Sequence, residues 1–182
     1  MHTLEIAATT NNLELATAIA KAKHGTLYCD AREEWQPLPF RALLTCVTDN
    51  PEELESVAEV GLYLICRRLI KPGDAEAIGL FPLVRRPDLS HADADAHWRD
   101  VHAPLALEHH AHMTHYTQLS VLHRFSGAAV DGFALCGFSS ISDLRERFYT
   151  RDESRKVIAA DIQNFADTRN SPRRLIATQT SF

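Results

Sequence analysis

Short apolar runs of strand length alternate along this chain with stretches whose apolar residues recur at helical spacing, and the order occurs twice. Residues 3–8 read as a strand that stops at a polar cluster. There Asn11 or Asn12 can cap the following helix by accepting from its first free backbone N–H groups. Leu13, Ala16, Ile19 and Ala20 then fall on one helical face, and Gly25 is placed to end the helix. Residues 26–29 and 40–47 read as strands on either side of a turn at 35–39 that contains two prolines. A helix opening at 49–53, with proline and acids in its first turn, leads through Gly61 to a strand at 62–70. The first half is thus β-α-β-β-α-β.

The second half repeats that order. Residues 77–84 form a strand in which Pro82 predicts an edge or a bulge. Ser90 opens a helix that carries Trp98 and runs toward Leu107. Strands follow at 113–122 and 132–138, with a loop at 126–129. Ser140 or Ser142 caps a helical region in two pieces, 143–149 and 153–167, and a strand at 175–180 closes the chain. Residue identity between the halves is slight, so the repeat is one of pattern. The reading is an α+β fold of two ferredoxin-like βαββαβ units, residues 1–73 and 74–182, each a four-stranded antiparallel sheet with helices on one face. The bare sheet faces are apolar. They need a cover, either each other within one chain, packed as an α/β barrel, or another subunit.

Composition narrows the function. A net charge of −5 argues against nucleic acid, whose phosphates call for a basic surface. Cys29, Cys46, Cys66 and Cys136 lie far apart among apolar neighbours, which suits buried thiols better than disulfides or a zinc site. No secretory leader opens the sequence and no run reaches the ~18 apolar residues of a membrane span, so a soluble cytoplasmic protein is expected.

The candidate chemistry is concentrated between residues 91 and 118, which hold seven of the ten histidines. Trp98, Val101, His102 and Leu105 share one helical face, so His102 is aimed at the sheet while Arg99 and Asp100 face water. A desolvated imidazole stays neutral and can act as a base; the same placement also suits a core histidine bonded to a backbone carbonyl. Pro104 lacks the N–H for the helical ladder and predicts a bend beside it. His109, His110 and His112 invite a metal reading, but such close spacing in a helix-to-strand connection rarely converges on one ion, and a solvated loop is the simpler expectation. On the next strand His115, Thr117, Leu119 and Val121 share one face, and Tyr116, Gln118 and Ser120 the other. The pairs Arg67-Arg68, Arg85-Arg86 and Arg173-Arg174 could bind a carboxylate or phosphate; neighbours on a strand point to opposite faces, which favours solvated edges. There is neither a Gly-rich phosphate loop nor a G-x-S-x-G elbow.

The run HWRDVHAPLA, followed further on by HYTQ, resembles the EthD family of the dimeric α/β-barrel superfamily. The segment VDGFALCGFSSISDLRERFYTRDESRKVIAADIQNFAD resembles that family's third strand and second helical region. The resemblance runs over residues 78–181, and the first seventy residues share only the general fold pattern. It implies a ferredoxin-like unit whose sheet pairs with another around a small-molecule cavity, usually in a homodimer. It also implies that His102 and Tyr116 are the catalytic pair and that the Tyr116–Gln118 face lines the cavity. Trp98, Gln118 and, in reserve on the other face, His115 are the candidate substrate contacts. The expected function is a cofactor-independent enzyme acting on a small hydrophobic carbonyl or phenolic compound. Lyase-type chemistry (cyclase, dehydratase or decarboxylase) comes first and oxygenation second. The alternatives are a non-catalytic small-ligand binder or accessory protein of a degradation pathway, and a haem- or metal-using oxygenase built on the 109–115 histidines. A homodimer is the expected assembly, although the long N-terminal half could supply the partner sheet within one chain.

Overall fold

Strands β1 (His2–Thr10), β2 (Thr26–Asp30), β3 (Ala42–Cys46) and β4 (Gly61–Lys71) interleave with helices α1 (Leu13–Ala22) and α2 (Glu52–Glu55) in the first half of the computed structural model. The second half carries β5 (Ala77–Leu83), α3 (His91–His97), a π-helical segment (Trp98–His102) and α4 (Ala103–His109). It continues with β6 (Met113–Gly127), β7 (Gly132–Phe138), α5 (Ile141–Glu146), α6 (Asp152–Ile162) and β8 (Leu175–Ser181). The structure describes residues 2–32 and 38–182, so most of the turn expected at 35–39 lies outside the described residues.

Each half forms one antiparallel sheet, ordered β4-β1-β3-β2 and β8-β5-β7-β6. The sheets join at both edges, β2 to β8 and β4 to β6, and close an eight-stranded barrel within one chain. Closure pairs the edges that would otherwise be open to another chain. The cover that the apolar faces require is therefore internal.

Strand alternation sorts the side chains. Tyr63, Ile65, Leu119, Val121, Phe133 and Leu135 pack inside the barrel, where Phe40 and Tyr63 meet Phe133 edge-on at 6.2 and 5.6 Å. The outer side is covered in the first half by α1 and α2, through Ala16, Ala20 and Leu54. In the second half the covering residues include Trp98, Ala103, Ala106, Leu144 and Phe165. Among the described residues no helix is long and apolar enough to cross a membrane.

Local signals are met with instructive exceptions. Asn12, Ser90 and Ser140 cap α1, α3 and α5 through their side chains. The left-handed residue after α1 is His24 (φ 51) and not Gly25. Gly25 serves close packing, since a Cβ there would lie 2.7 Å from Cys46 Sγ. Pro82 sits on a local edge, because β8 pairs with β5 only at Ile78, Gly79 and Leu80. The strand expected at 113–122 continues to Gly127 because β4 pairs along it.

Two expectations of solvated residues fail. Arg67 and Arg68 do point to opposite faces, but each meets a carboxylate there. Arg67 forks onto Glu5 inside the barrel at 2.6 and 3.0 Å, and Arg68 forks onto Asp95 of α3 at 2.7 and 2.8 Å. Nor is the 109–112 connection a solvated loop. His109 and His110 are buried, His109 against Ser154 Oγ at 3.1 Å. His110 Nδ1 donates to the Phe148 carbonyl at 2.6 Å, between the Phe148 and Tyr149 rings.

Burial pushes His110 down to about 4 from an ordinary value of 6.5, only partly offset by the bond to Phe148. Below pH 6.5 the folded state therefore binds fewer protons than the unfolded chain. Its contribution to stability is complete above 6.5 and is lost as pH falls toward about 4. The loss amounts to about 3 kcal/mol at ~1.4 kcal/mol per pKa unit. Denaturant unfolding across this range should show the decline, and His110→Gln, which keeps a donor, should flatten it. An unchanged acid dependence in that variant would refute the assignment.

Candidate active site

The site is built on an interruption in the helix that follows β5. Between Trp98 and His102 the helix widens to a π turn, in which the Trp98 carbonyl accepts the Ala103 N–H five residues on. Regular α-helix resumes at α4 with Pro104 in its first turn. In an unbroken α-helix the Pro104 ring would press on the Asp100 carbonyl and leave it without a donor. The wider turn relieves that conflict, so the bend expected at Pro104 takes the form of a π segment and the helix continues. Trp98 and His102, at the two ends of this segment, are both buried.

His102 Nδ1 lies 2.7 Å from Asp161 Oδ2 of α6, and the other oxygen of that carboxylate is 2.8 Å from His97 Nε2. A carboxylate only accepts, so each imidazole presents an N–H to it. For His102 this fixes the proton on Nδ1 and leaves Nε2 with its lone pair free and no protein partner among the described residues. Phe165 packs on both rings, at 5.2 Å from His97 and 5.1 Å from His102. Burial lowers the His102 pKa, and the bond and charge of Asp161 work in the opposite direction. The ring is neutral at pH 7 and backed by a carboxylate, which is the state of a general base.

His102 and Trp98 border a cavity of about 360 Å³ between the sheet and the helical layer. Its walls are mostly apolar, with Phe81 and Leu83 of β5, Ala134 of β7, Ile162 at the end of α6 and Phe165 just beyond it. Tyr116 and Gln118 lie on the helix-facing side of β6, fully buried, and meet the cavity only through Trp98. Tyr116 Oη accepts from Trp98 Nε1 at 3.2 Å and from Gln118 Nε2 at 3.0 Å. Gln118 Nε2 also donates to the Trp98 carbonyl at 2.9 Å, bracing the π turn from beneath. Burial raises the Tyr116 phenol well above its ordinary range, so it stays protonated. His115 points to the opposite face, where it contacts the Gly73 carbonyl and Thr117 Oγ1. The structure thus brings His102 and Trp98 together at the cavity, sets Tyr116 and Gln118 behind Trp98, and places His115 apart.

Gly132 of β7 makes room for the indole. A Cβ there would fall 2.5 Å from Trp98 Cζ3 and 2.9 Å from the Leu119 carbonyl. Gly132→Ala should displace Trp98 and destabilise the protein by about 1–3 kcal/mol, the usual cost of overpacking. Thermal melts with near-ultraviolet circular dichroism would show both effects, and an unaltered melt with an unaltered aromatic signal would contradict them.

Sequence reasoning missed Asp161. Its signal was there, since it shares a buried stripe of α6 with Ser154 and Ile158, where an acid is out of place without a partner. The 109–115 histidines do not converge on one metal ion, because they diverge toward Ser154, Phe148, Arg147 and Gly73. Among the described residues no three His, Cys, Asp or Glu side chains group as a metal site.

Residues 86–169 match the EthD domain. This segment is similar to EthD domains. It contains His97, Trp98, His102, Tyr116, Gln118 and Asp161, whereas Arg68, Phe81 and Leu83 lie outside it. Among solved structures, an anthrone oxidase-like protein is similar at TM-score 0.54 and 12% identity, over 99% of this chain and 92% of its own. A candidate monooxygenase from Lactobacillus acidophilus NCFM is similar at TM-score 0.53 and 10% identity, over 98% and 93%. At these identities the likeness concerns the fold, and it spans both halves of the barrel. No curated protein matches the chain.

Proposed function

We propose that this EthD-like protein is an enzyme that acts, without a cofactor, on a small hydrophobic carbonyl or phenolic compound, with His102 as general base. The observation that carries this reading is the Asp161–His102 pair on the wall of a mostly apolar cavity. His102 Nε2 takes a proton from the carbon alpha to a carbonyl, or from a phenol, and Asp161 stabilises the imidazolium that forms. Trp98 supplies a flat wall for the substrate, and Tyr116 and Gln118 act through it as positioning residues. The resulting anion can cyclise or expel a leaving group, with the imidazolium returning the proton, which is lyase-type chemistry. The same anion could instead react with dioxygen, and the names of the two solved relatives favour this as the second reading.

The test is a screen of aromatic polyketide-like carbonyls and phenols, with products analysed under air and under argon. Turnover in argon supports the lyase reading, and turnover that requires oxygen supports the oxygenase. Binding without turnover in either gas would make the protein a ligand binder. A Soret band or stoichiometric metal in protein purified without a histidine tag would overturn the cofactor-free reading. A homodimer would use helical faces, where Val101, Leu107 and Val157 are exposed, because the strand edges are already paired.

A further inference from the structure

A second cavity of about 260 Å³ adjoins the His102 cavity, and Phe81 and Arg174 border both. Four arginines line it: Arg145 of α5, Arg151 and Arg155 around the start of α6, and Arg174 just before β8. Two acids, Glu146 and Asp152, also border it. None of the four guanidinium groups has an ion pair or hydrogen-bond acceptor among the described residues. In a chain of net charge −5 this is a local excess of positive charge.

The arginines are arranged and not merely crowded. Arg174 lies over the rings of Phe81 and Phe148 at 5.5 and 6.0 Å, and Arg155 lies over Tyr149 at 5.3 Å. A guanidinium stacked in this way uses its flat face on the ring and keeps its N–H edge for a planar or tetrahedral oxyanion. Those edges are unclaimed here. Burial pushes Arg174 below the ordinary arginine range, and the neighbouring charges of Arg32 and Arg173 act in the same direction. The guanidinium of Arg174 stands where the apolar cavity meets the basic one.

We propose that the basic cleft holds an anionic group, a carboxylate or a phosphate monoester, of an organic ligand whose apolar body occupies the His102 cavity. The inference rests on the reading of that cavity as the substrate site, and it makes the substrate an amphipathic anion and not a neutral compound. Arg174 would set the register, placing the reacting carbon of the apolar body against His102 while Arg155 closes on the anion from the far side.

The test is calorimetric titration of the full chain with 2-naphthoate, 2-naphthyl phosphate and the neutral methyl 2-naphthoate. One of the anions should bind at least about tenfold more tightly than the ester, as expected for ~1.4 kcal/mol from one charge-assisted contact. The tighter anion identifies the class. Arg174→Gln and Arg155→Gln should each weaken the anion by about tenfold and leave the ester unchanged. Added salt should weaken the anion alone. His102→Ala, which alters the wall that all three probes share, should shift their affinities alike and leave the anion-to-ester ratio in place. Equal binding of ester and anions, or an Arg174→Gln loss shared by the ester, would overturn this inference while leaving the His102 cavity as the site. Failure of all three to bind would overturn both.

Discussion

His102→Ala is expected to lower turnover by about 10²–10⁴-fold, the usual contribution of a positioned general base, with the thermal melt little changed. The fold should survive because Asp161 keeps His97 as a partner at 2.8 Å and the helix is anchored independently through Trp98. Asp161→Asn gives a finer reading of the same machinery. The carboxylate holds the His102 pKa up against burial. Without it the pKa falls further, so the limb of kcat/KM that rises with pH should move to lower pH. The plateau should drop as well, because the base is weaker and the imidazolium has lost its counter-charge. A residue that merely supported the fold would change the plateau without moving the limb. If Asp161 acts only through His102, the double variant should be no slower than His102→Ala alone. Full activity in His102→Ala, or an unmoved limb in Asp161→Asn, would end the assignment.

Asp95→Ala is expected to be the most destabilising single substitution considered. Arg68 is only 4% exposed and its guanidinium forks onto Asp95, which also accepts from Ser120 Oγ at 2.6 Å. Burial alone would raise the Asp95 carboxyl, yet the bonds from Arg68 and Ser120 hold it below its ordinary range. Removing the carboxylate strands a buried cation, at a cost of about 3–5 kcal/mol. At ~2–4 °C per kcal/mol for a chain of this size, the melting temperature should fall by roughly 10 °C. The same guanidinium lies over the Trp98 ring at 5.4 Å, so ligand affinity at the His102 cavity should weaken too. An apolar replacement of both partners, Arg68→Met with Asp95→Leu, should recover most of the stability, because neither charge is then left alone. A melt within a degree or two of the parent for Asp95→Ala would show that the pair does not hold the halves together.

The histidine-rich stretch shows how far local pattern reaches. The i, i+3, i+4 arithmetic placed Val101 and His102 on the inward face; His102 is buried there, but Val101 is exposed, because the π turn shifts the helical register. The close spacing of His109 and His110 in a helix-to-strand connection read as a solvated loop, although both are buried against the segment around α6. Spacing along a helix reports which way a side chain points, but not what a distant segment lays over it. Asp161 is 59 residues from His102, and nothing near either residue in sequence names the other. Its one local trace was an acid on an apolar stripe.

What the sequence by itself determined is the list of elements and their order. Period 2 and period 3.6 are properties of neighbouring residues, and so are the caps at Asn12, Ser90 and Ser140. The repeated β-α-β-β-α-β order, read together with the EthD-like motif, was enough to name an α+β barrel. The tertiary structure alone decided that the barrel closes within one chain, through β2 with β8 and β4 with β6. It also decided that Arg68 of the first half supports Trp98 of the second, and that a carboxylate from α6 stands behind His102. These outcomes depend on the pairing of sheet edges and on charges buried between elements far apart in the chain. Such contacts exist only once the elements have packed, so no local period encodes them.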